Sequence, residues 1–141
     1  MINSDVNQVN NSIPVYAVKT QMPSIITTGN RAISDLSNVL SAAAENLGQY
    51  LSYRVILGDQ TQADNLTIET IEDEEIVPVE FTNGYIQLDD VNVNTSTPIF
   101  ITFNVEDTYA FVIELIDTDT GNVLDTVIKT AFVITLSNST S

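Results

Sequence analysis

The chain has 141 residues, which is enough for one domain with a hydrophobic core. It contains no cysteine and no histidine, and this excludes disulfides, thiolate nucleophiles, imidazole bases and structural zinc sites of the usual kind. Its net charge is −15, because 19 acidic residues face only four basic ones.

The acidic residues are unevenly distributed. Of the 19 acids, 16 lie between Arg54 and Lys129, a stretch without any basic residue. No phosphate-binding surface can form there, so we expect no direct nucleic-acid binding. The acids are interpreted first as a solubilising surface. The alternative is a surface that faces cations or a basic partner, or that repels DNA.

The first residues and the hydropathy of the sequence indicate where the protein is expected to be located in relation to membranes and export. The first residues, MINSDVNQVNNS, have neither the positive charge nor the apolar core of a signal peptide. No run approaches the roughly 18–20 apolar residues of a membrane helix, so we expect no membrane insertion. The chain is therefore expected to be made without a signal peptide. A mature secreted protein with an added start methionine is the alternative.

Residues 1–30 are predicted to be an N-terminal arm with one short strand. The first twelve are rich in Asn, Ser and Gln, and the following SIPVYAVKT alternates like a strand that begins near a proline. Such an arm can add main-chain hydrogen bonds to a neighbour. The apolar residues predicted to contact neighbouring subunits are Ile2, Val6, Val9, Ile13 and Val15.

Residues 31–51 are predicted to form one amphipathic helix. Their apolar residues recur at helical spacing, and Asn30 is a plausible N-cap. We interpret the resulting stripe as the attachment of the helix to a sheet. The stripe consists of Ile33, Leu36, Leu40, Ala43, Ala44, Leu47 and Leu51.

Residues 52–141 are predicted to be an antiparallel β-domain, with residues 31–141 forming one folding unit. About eight short segments rich in Val, Ile, Thr and aromatics alternate with turn signals, and Asn83-Gly84 gives the strongest hairpin signal. This spacing predicts a β-sandwich or jelly roll. Residues 122–136 also fit a helical spacing, although their β-branched content favours strands.

Two acidic segments are candidate metal sites. Asp117, Asp119 and Asp125 surround a Thr-Gly pair, but the order of ligands required for an EF-hand loop is wrong and Ile128 replaces the essential glutamate. We therefore predict a β-hairpin there, with weak calcium binding as the alternative. Within the run ETIEDEEIVPVE, residues 69–80, the four successive acids at 72–75 repel one another and are predicted to form an exposed loop between strands.

No catalytic pattern is present in the sequence. It has no glycine-rich phosphate loop, no G-x-S-x-G turn and no base to activate its many hydroxyls. Acidic pairs suited to glycoside hydrolysis fall on predicted turns. We therefore predict a protein that is not an enzyme and has no cofactor.

Three classes of function remain. The first is a self-assembling structural subunit, located in a virion or an extracellular assembly, whose partners are other copies or other subunits of the same particle. An arm, a helix and an antiparallel β-domain resemble the general style of bacteriophage decoration and tail proteins, a likeness of fold only. The second is a surface-displayed module that binds glycans, through Tyr85 and Tyr109, or a protein. The third is an acidic adaptor or inhibitor.

Overall fold

The computed structural model describes residues 15–41 and 50–136, and their side chains over 16–39 and 50–136. The predicted arm residues Ile2, Val6, Val9 and Ile13 lie outside this part of the chain. Val15 lies within it, as the first residue of a strand that pairs with Ser41.

Twelve strands and one 3-10 helix, Gln60–Asn65, make up the regular structure of the described residues. The strands are β1 (Val15–Thr20), β2 (Ile25–Thr27), β3 (Arg31–Ile33), β4 (Leu36–Ser41), β5 (Leu51–Leu57), β6 (Leu66–Glu72), β7 (Glu75–Val79), β8 (Tyr85–Val91), β9 (Ser96–Thr97), β10 (Ile99–Phe103), β11 (Asp107–Asp117) and β12 (Val123–Ile134). No helix in the described ranges is long and apolar enough to cross a membrane.

The strands form two layers. One layer is a five-stranded sheet of order β2-β12-β11-β5-β8, antiparallel except for the parallel β2–β12 pair. The other consists of two sheets, β1-β4-β9 and β3-β10-β6-β7. Only Ser34 and Asp35 separate β3 from β4, and only Pro98 separates β9 from β10. The Ser34 amide donates to the Ile99 carbonyl at 2.7 Å, so the two sheets continue each other as one bent layer.

The hydrophobic core lies between the two layers. Side chains alternate along β5, where Leu51, Tyr53, Val55 and Leu57 are all buried, because successive residues of a strand point to opposite faces. Across the core, the ring centroids of Phe103 and Tyr109 lie 4.5 Å apart. These contacts confirm the predicted sandwich of mainly β structure.

A hydrogen bond at the start of β11 is typical of one kind of sandwich. The Tyr109 hydroxyl donates to the Val105 carbonyl, four residues upstream, at 2.5 Å. Immunoglobulin-like sandwiches contain the same contact, a tyrosine corner, where the chain turns into the corresponding strand. It fixes the entry into β11, the strand at the centre of the five-stranded sheet.

The helix predicted for residues 31–51 is wrong over residues 31–41, which form β3 and β4, and at Leu51, which begins β5. Residues 42–49 lie outside the described ranges. Leu36 and Asn38 are each 1% exposed, whereas Ile33, part of the predicted buried stripe, is 59% exposed. Pairing with β1, β9 and β10 outweighs the weak helical preference of this segment.

Asn38 shows why a polar residue can occupy the core here. Its amide nitrogen donates to the Tyr53 hydroxyl at 2.9 Å and to the Asn92 carbonyl at 3.1 Å. Its amide oxygen accepts from the Asn94 backbone at 2.8 Å. A buried polar side chain is tolerated when it is hydrogen-bonded in this way, so Asn38 joins β4 to β5 across the sandwich.

The last two strands of the described residues form one long hairpin. β11 and β12 pair in antiparallel register from Asp107↔Val133 to Ile116↔Val123, and this confirms the predicted hairpin. Within residues 122–136, which also fitted a helical spacing, residues 123–134 form the single strand β12. Within the turn, the Gly121 amide donates to the Asp117 carbonyl at 2.8 Å, and Gly121 has φ +79.

At Asn83-Gly84, the strongest hairpin signal of the sequence, the chain crosses from one layer of the sandwich to the other. Asn83 and Gly84 have φ values of 57 and 87, as a tight two-residue turn requires. Yet only the Thr82↔Tyr85 bridge forms across that turn, because β7 pairs with β6 while β8 pairs with β5.

The acidic residues 72–75 join two strands through an exposed turn, as predicted. Strands β6 and β7 meet at Asp73 and Glu74, whose φ values are 51 and 68, and Glu72 pairs with Glu75. All four acids are exposed, as predicted.

The three predicted segments, residues 1–30, 31–51 and 52–141, contribute strands to the same sheets. β2 pairs with β12 and β3 pairs with β10, so strands that lie before residue 52 in the described part of the chain are built into the sandwich. The predicted extent of the folding unit, residues 31–141, stays a prediction.

Candidate functional site

The solvent-facing side of the five-stranded sheet carries an apolar row. Ile128, Val112, Ile56 and Tyr85 occupy neighbouring strands β12, β11, β5 and β8, and each is in register with the next. Because partners in register point to the same side of a sheet, the four side chains form one line across it. We call this side of the sheet the outer face.

The row continues toward β2. Ile25 pairs with Phe132 in the parallel β2–β12 contact, and these side chains are 67% and 50% exposed. Ile128 is 68% exposed and Ile134 is 42% exposed. The outer face of an antiparallel sheet is commonly polar, whereas large exposed apolar patches mark interaction sites.

One ion pair lies beside the row. Arg54 and Glu114 are in register on β5 and β11, and their side chains approach to 3.6 Å. The guanidinium of Arg54 also lies 4.8 Å from the ring centroid of Tyr85, within cation–π distance. The pair leaves this part of the outer face close to neutral in a chain whose net charge is −15.

Other acids lie at the ends of the strands of this sheet. Asp107 and Asp117 stand at the two ends of β11, Asp59 lies two residues beyond β5, and Asp89 lies near the end of β8. The surface therefore has an apolar centre with acids at its margins. This is the arrangement of many protein interfaces, which combine an apolar core with a polar rim.

The three aspartates of the predicted calcium alternative have separate structural roles. The Asp117 carboxylate accepts from the Asp119 amide at 3.0 Å within the turn. The Asp125 carboxylate accepts from the Val18 amide of β1 at 2.7 Å. The described residues contain no group of three or more ligating side chains that could hold a metal ion. The expectation that no metal is bound stays a prediction.

The two tyrosines proposed for glycan stacking differ in exposure. Tyr109 is 0% exposed, so its ring cannot stack on a sugar, and this part of the prediction is wrong. Tyr85 is partly exposed, with the guanidinium of Arg54 over its ring. Nothing in the sequence indicates this difference in exposure, because both tyrosines lie in predicted strands.

Shifted pKa values in the described part of the chain have structural causes. Burial raises the pKa of the Tyr53 hydroxyl, although the hydrogen bond from Asn38 opposes the shift. Burial and the neighbouring Asp107 carboxylate raise the pKa of Tyr109. Hydrogen bonds from the Thr61 side chain and backbone lower the pKa of Asp59, which caps the 3-10 helix. Each of these shifts is explained by packing or capping.

Sequence reasoning missed the outer face, although a signal was present. In a strand with one buried face, apolar residues should alternate with polar ones. In β11 and β12, large apolar residues occur at both parities, as Ile113 beside Val112 and Val133 beside Phe132 show. When a strand carries large apolar residues on both of its faces and one face points to solvent, the solvent-facing residues indicate a contact surface.

Comparison with known proteins shows the fold and nothing finer. No protein-family model and no curated protein matches the chain. Among solved structures, the chain is similar to a conjugative transposon lipoprotein from Bacteroides eggerthii, with a TM-score of 0.56 and 11% identity over 82% of this chain and 95% of that one. It is similar to a cohesin module from a Clostridium perfringens family 33 glycoside hydrolase, with a TM-score of 0.56 and 11% identity over 88% of this chain and 100% of that one. It is also similar to a CARDB domain from Pyrococcus furiosus, with a TM-score of 0.51 and 11% identity over 89% of this chain and 97% of that one.

Proposed function

We propose that this chain is a surface-displayed, non-catalytic β-sandwich module that binds a protein partner through its outer face. The observation that carries the proposal is the in-register apolar row of Ile128, Val112, Ile56 and Tyr85, continued by Phe132 and Ile25. Burial of such side chains drives protein association at about 25 cal/mol per Å² of apolar area, before the costs of association are subtracted.

The chemistry of the partner follows from the charges around the row. A partner with an apolar centre and Lys or Arg at its margin would match the outer face and its surrounding acids. A second copy of this chain cannot supply that margin, because it has only four basic residues. Two of them, Arg31 and Arg54, already pair with Glu69 and Glu114. The favoured partner is therefore a different protein.

A protein fits the outer face better than a glycan does. The exposed side chains are mainly aliphatic, and of the two tyrosines expected to stack on sugars, Tyr109 is buried. The similar structures include a lipoprotein and a cohesin module, which supports display at a cell surface. They give no support to a virion protein, so we do not carry the virion proposal further.

Self-assembly through the N-terminal arm is a second candidate. Val15, the last of the five proposed arm residues, begins β1, and β1 is the edge strand of its sheet. Unpaired strand edges can accept a strand from another chain. The mass of the particle in solution tests this candidate: a higher oligomer that is lost on deletion of residues 1–12 would favour it.

The main proposal is tested with a pair of matched variants. Ile128→Lys places a charge within the row, and Ile33→Lys places the same charge on the outer side of the other layer. The two isoleucines are 68% and 59% exposed. Wild type and both variants are immobilised, exposed to surface proteins of the source organism, and the retained proteins are identified. Each candidate is then purified and titrated against all three chains by calorimetry.

A purified protein that binds wild type and Ile33→Lys, but binds Ile128→Lys at least tenfold more weakly, supports the proposal. Equal affinity for all three chains contradicts it. Light scattering of the isolated chain gives a further check. A dimer that Ile128→Lys dissociates would show that the outer face binds a second copy, and the proposed partner would be wrong.

A further inference from the structure

A cleft opens on the side of the sandwich opposite β1 and β2, where β7 and β8 belong to different layers. Its volume is about 520 Å³, within the range of ligand-binding pockets. Its lining includes Val79 of β7 and Leu88 of β8, half-buried residues packed on the core, and the buried Thr70 of β6. A second cavity of about 330 Å³ adjoins it, since both are lined by Pro78 and Val79.

The margin of the cleft is acidic. Its lining contains Glu72, Asp89 and Asp90 and no Lys or Arg. The exposed acids of the β6–β7 turn, Asp73 and Glu74, directly follow Glu72. An occupant with positive charge is therefore favoured over a neutral or acidic one.

A β-bulge positions two of these acids. The register between β5 and β8 runs from Tyr53↔Leu88 to Leu51↔Val91, so β8 contains one residue more than β5 over this stretch. Asp90 adopts φ 60 at this point. The Asp89 carboxylate is held by the Ser52 hydroxyl at 2.8 Å and by the Gln87 amide at 2.9 Å. Bulges commonly redirect side chains beside binding sites.

β8 also offers a strand edge. Among the described strands it pairs only with β5, and it lies at the end of its sheet. Residues Tyr85–Leu88 pair with β5 without interruption, which gives about 13 Å of regular edge at roughly 3.3 Å per residue. Main-chain hydrogen bonds along such an edge can bind an extended peptide, while pockets select its alternate side chains.

We infer that the cleft between β7 and β8 binds an extended basic peptide segment of another protein, which adds to the edge of β8. Alternate apolar side chains of the peptide enter the space between Val79 and Leu88, and its Lys or Arg side chains meet Glu72, Asp89 and Asp90. This cleft borders the outer face, with which it shares β8 and Asp89, but no residue of the apolar row lines it. The inference does not depend on the proposed function.

The test uses the full chain and a labelled hexapeptide of alternating Val and Lys, followed by fluorescence anisotropy. The matched control peptide alternates Val and Glu. The protein variants are Asp89→Asn with Asp90→Asn, and, as a control with the same change of charge, Asp117→Asn with Asp119→Asn. Asn tolerates positive φ, so the bulge is expected to keep its shape.

The inference requires that the Lys peptide bind and the Glu peptide not bind. The Asp89/Asp90 variant should weaken binding about tenfold, as the loss of two modest ion pairs would, and the Asp117/Asp119 variant less than twofold. Equal weakening in both variants would show general attraction to an acidic protein, and would overturn the inference.

Two further measurements complete the test. A Lys peptide that is N-methylated at alternate residues cannot form strand hydrogen bonds, so unchanged binding of that peptide would also overturn the inference. Phe132→Ser alters the outer face without changing charge and should leave peptide binding unaffected. If Phe132→Ser abolished it, the peptide would occupy the outer face and the inference would be wrong.

Discussion

The chain changes layer on both sides of the sandwich, with opposite results. On one side, β1 pairs with β4 in the bent layer and β2 pairs with β12 in the five-stranded sheet. Met22 and Ile26, on the connecting segment and β2, are 3% and 5% exposed. On the other side, the chain passes from β7 to β8 through the exposed turn at Asn83 and leaves a cleft of about 520 Å³.

This difference separates stability from binding. The first crossing closes the core with buried side chains and with main-chain hydrogen bonds, such as the one from the Phe132 amide to the Ser24 carbonyl at 2.7 Å. The second crossing, residues 80–84, runs through the exposed turn at Asn83, and the edges of β7 and β8 border an opening. A sandwich closed on one side can keep the other side free for a ligand.

The largest expected effect comes from truncating one apolar side chain on each side. Ile26→Ala removes a side chain that is 5% exposed and should lower the free energy of unfolding by about 2–4 kcal/mol. Leu88→Ala removes a half-buried side chain at the cleft and should cost about 1 kcal/mol. Urea denaturation measures both. Equal losses would mean that the two sides contribute alike to the core.

Gly84→Ala should destabilise the open side by about 2 kcal/mol, measured by the same denaturation. Gly84 has φ +87, and an added Cβ would lie 2.4 Å from the Gln60 amide nitrogen. Gly121→Ala is the matched control, because Gly121 has φ +79 but no atom within 4 Å of the added Cβ. A loss in Gly121→Ala as large as that in Gly84→Ala would show that the contact with Gln60 has no effect.

Asp125→Ala should loosen the closed side by about 1–2 kcal/mol, because the buried Val18 amide loses its carboxylate acceptor. Asp125→Asn keeps an acceptor oxygen at the same place and should cost less. Hydrogen exchange of the Val18 amide reports the contact directly. Unchanged protection in Asp125→Ala would show that the carboxylate does not hold β1.

Glu74→Gly should produce the smallest effect, a gain of about 0.5–1 kcal/mol at the β6–β7 turn. Glu74 has φ 68, which glycine adopts without steric cost. Thermal unfolding measures the gain. A loss of stability would mean that the Glu74 side chain makes a favourable contact within the fold, and would weaken the view that this acidic turn serves a ligand.

The sequence by itself determined the local structure of most strands. The alternation in β10 and β11 places Ile99, Ile101 and Phe111 in the core, because a strand of period two buries every second residue. The Thr-Gly pair of the β11–β12 turn was also identified, since glycine reaches positive φ freely. The mainly β sandwich follows from these elements and their spacing.

Only the tertiary structure decided how the remaining segments pair. Residues 31–41 have helical spacing but form strands, because β3 and β4 gain hydrogen bonds from β10 and β1, which are distant in sequence. The turn at Asn83 has hairpin chemistry but joins two layers, because β5 and β6 already bind its flanking strands.

The candidate surfaces were likewise beyond the sequence. The apolar row of the outer face requires the register of four strands, and the cleft requires the separation of β7 from β8. The local alternation of apolar and polar residues determines on which face of its strand a side chain lies. Long-range pairing determines which side chains become neighbours, and a surface that binds a partner consists of such neighbours.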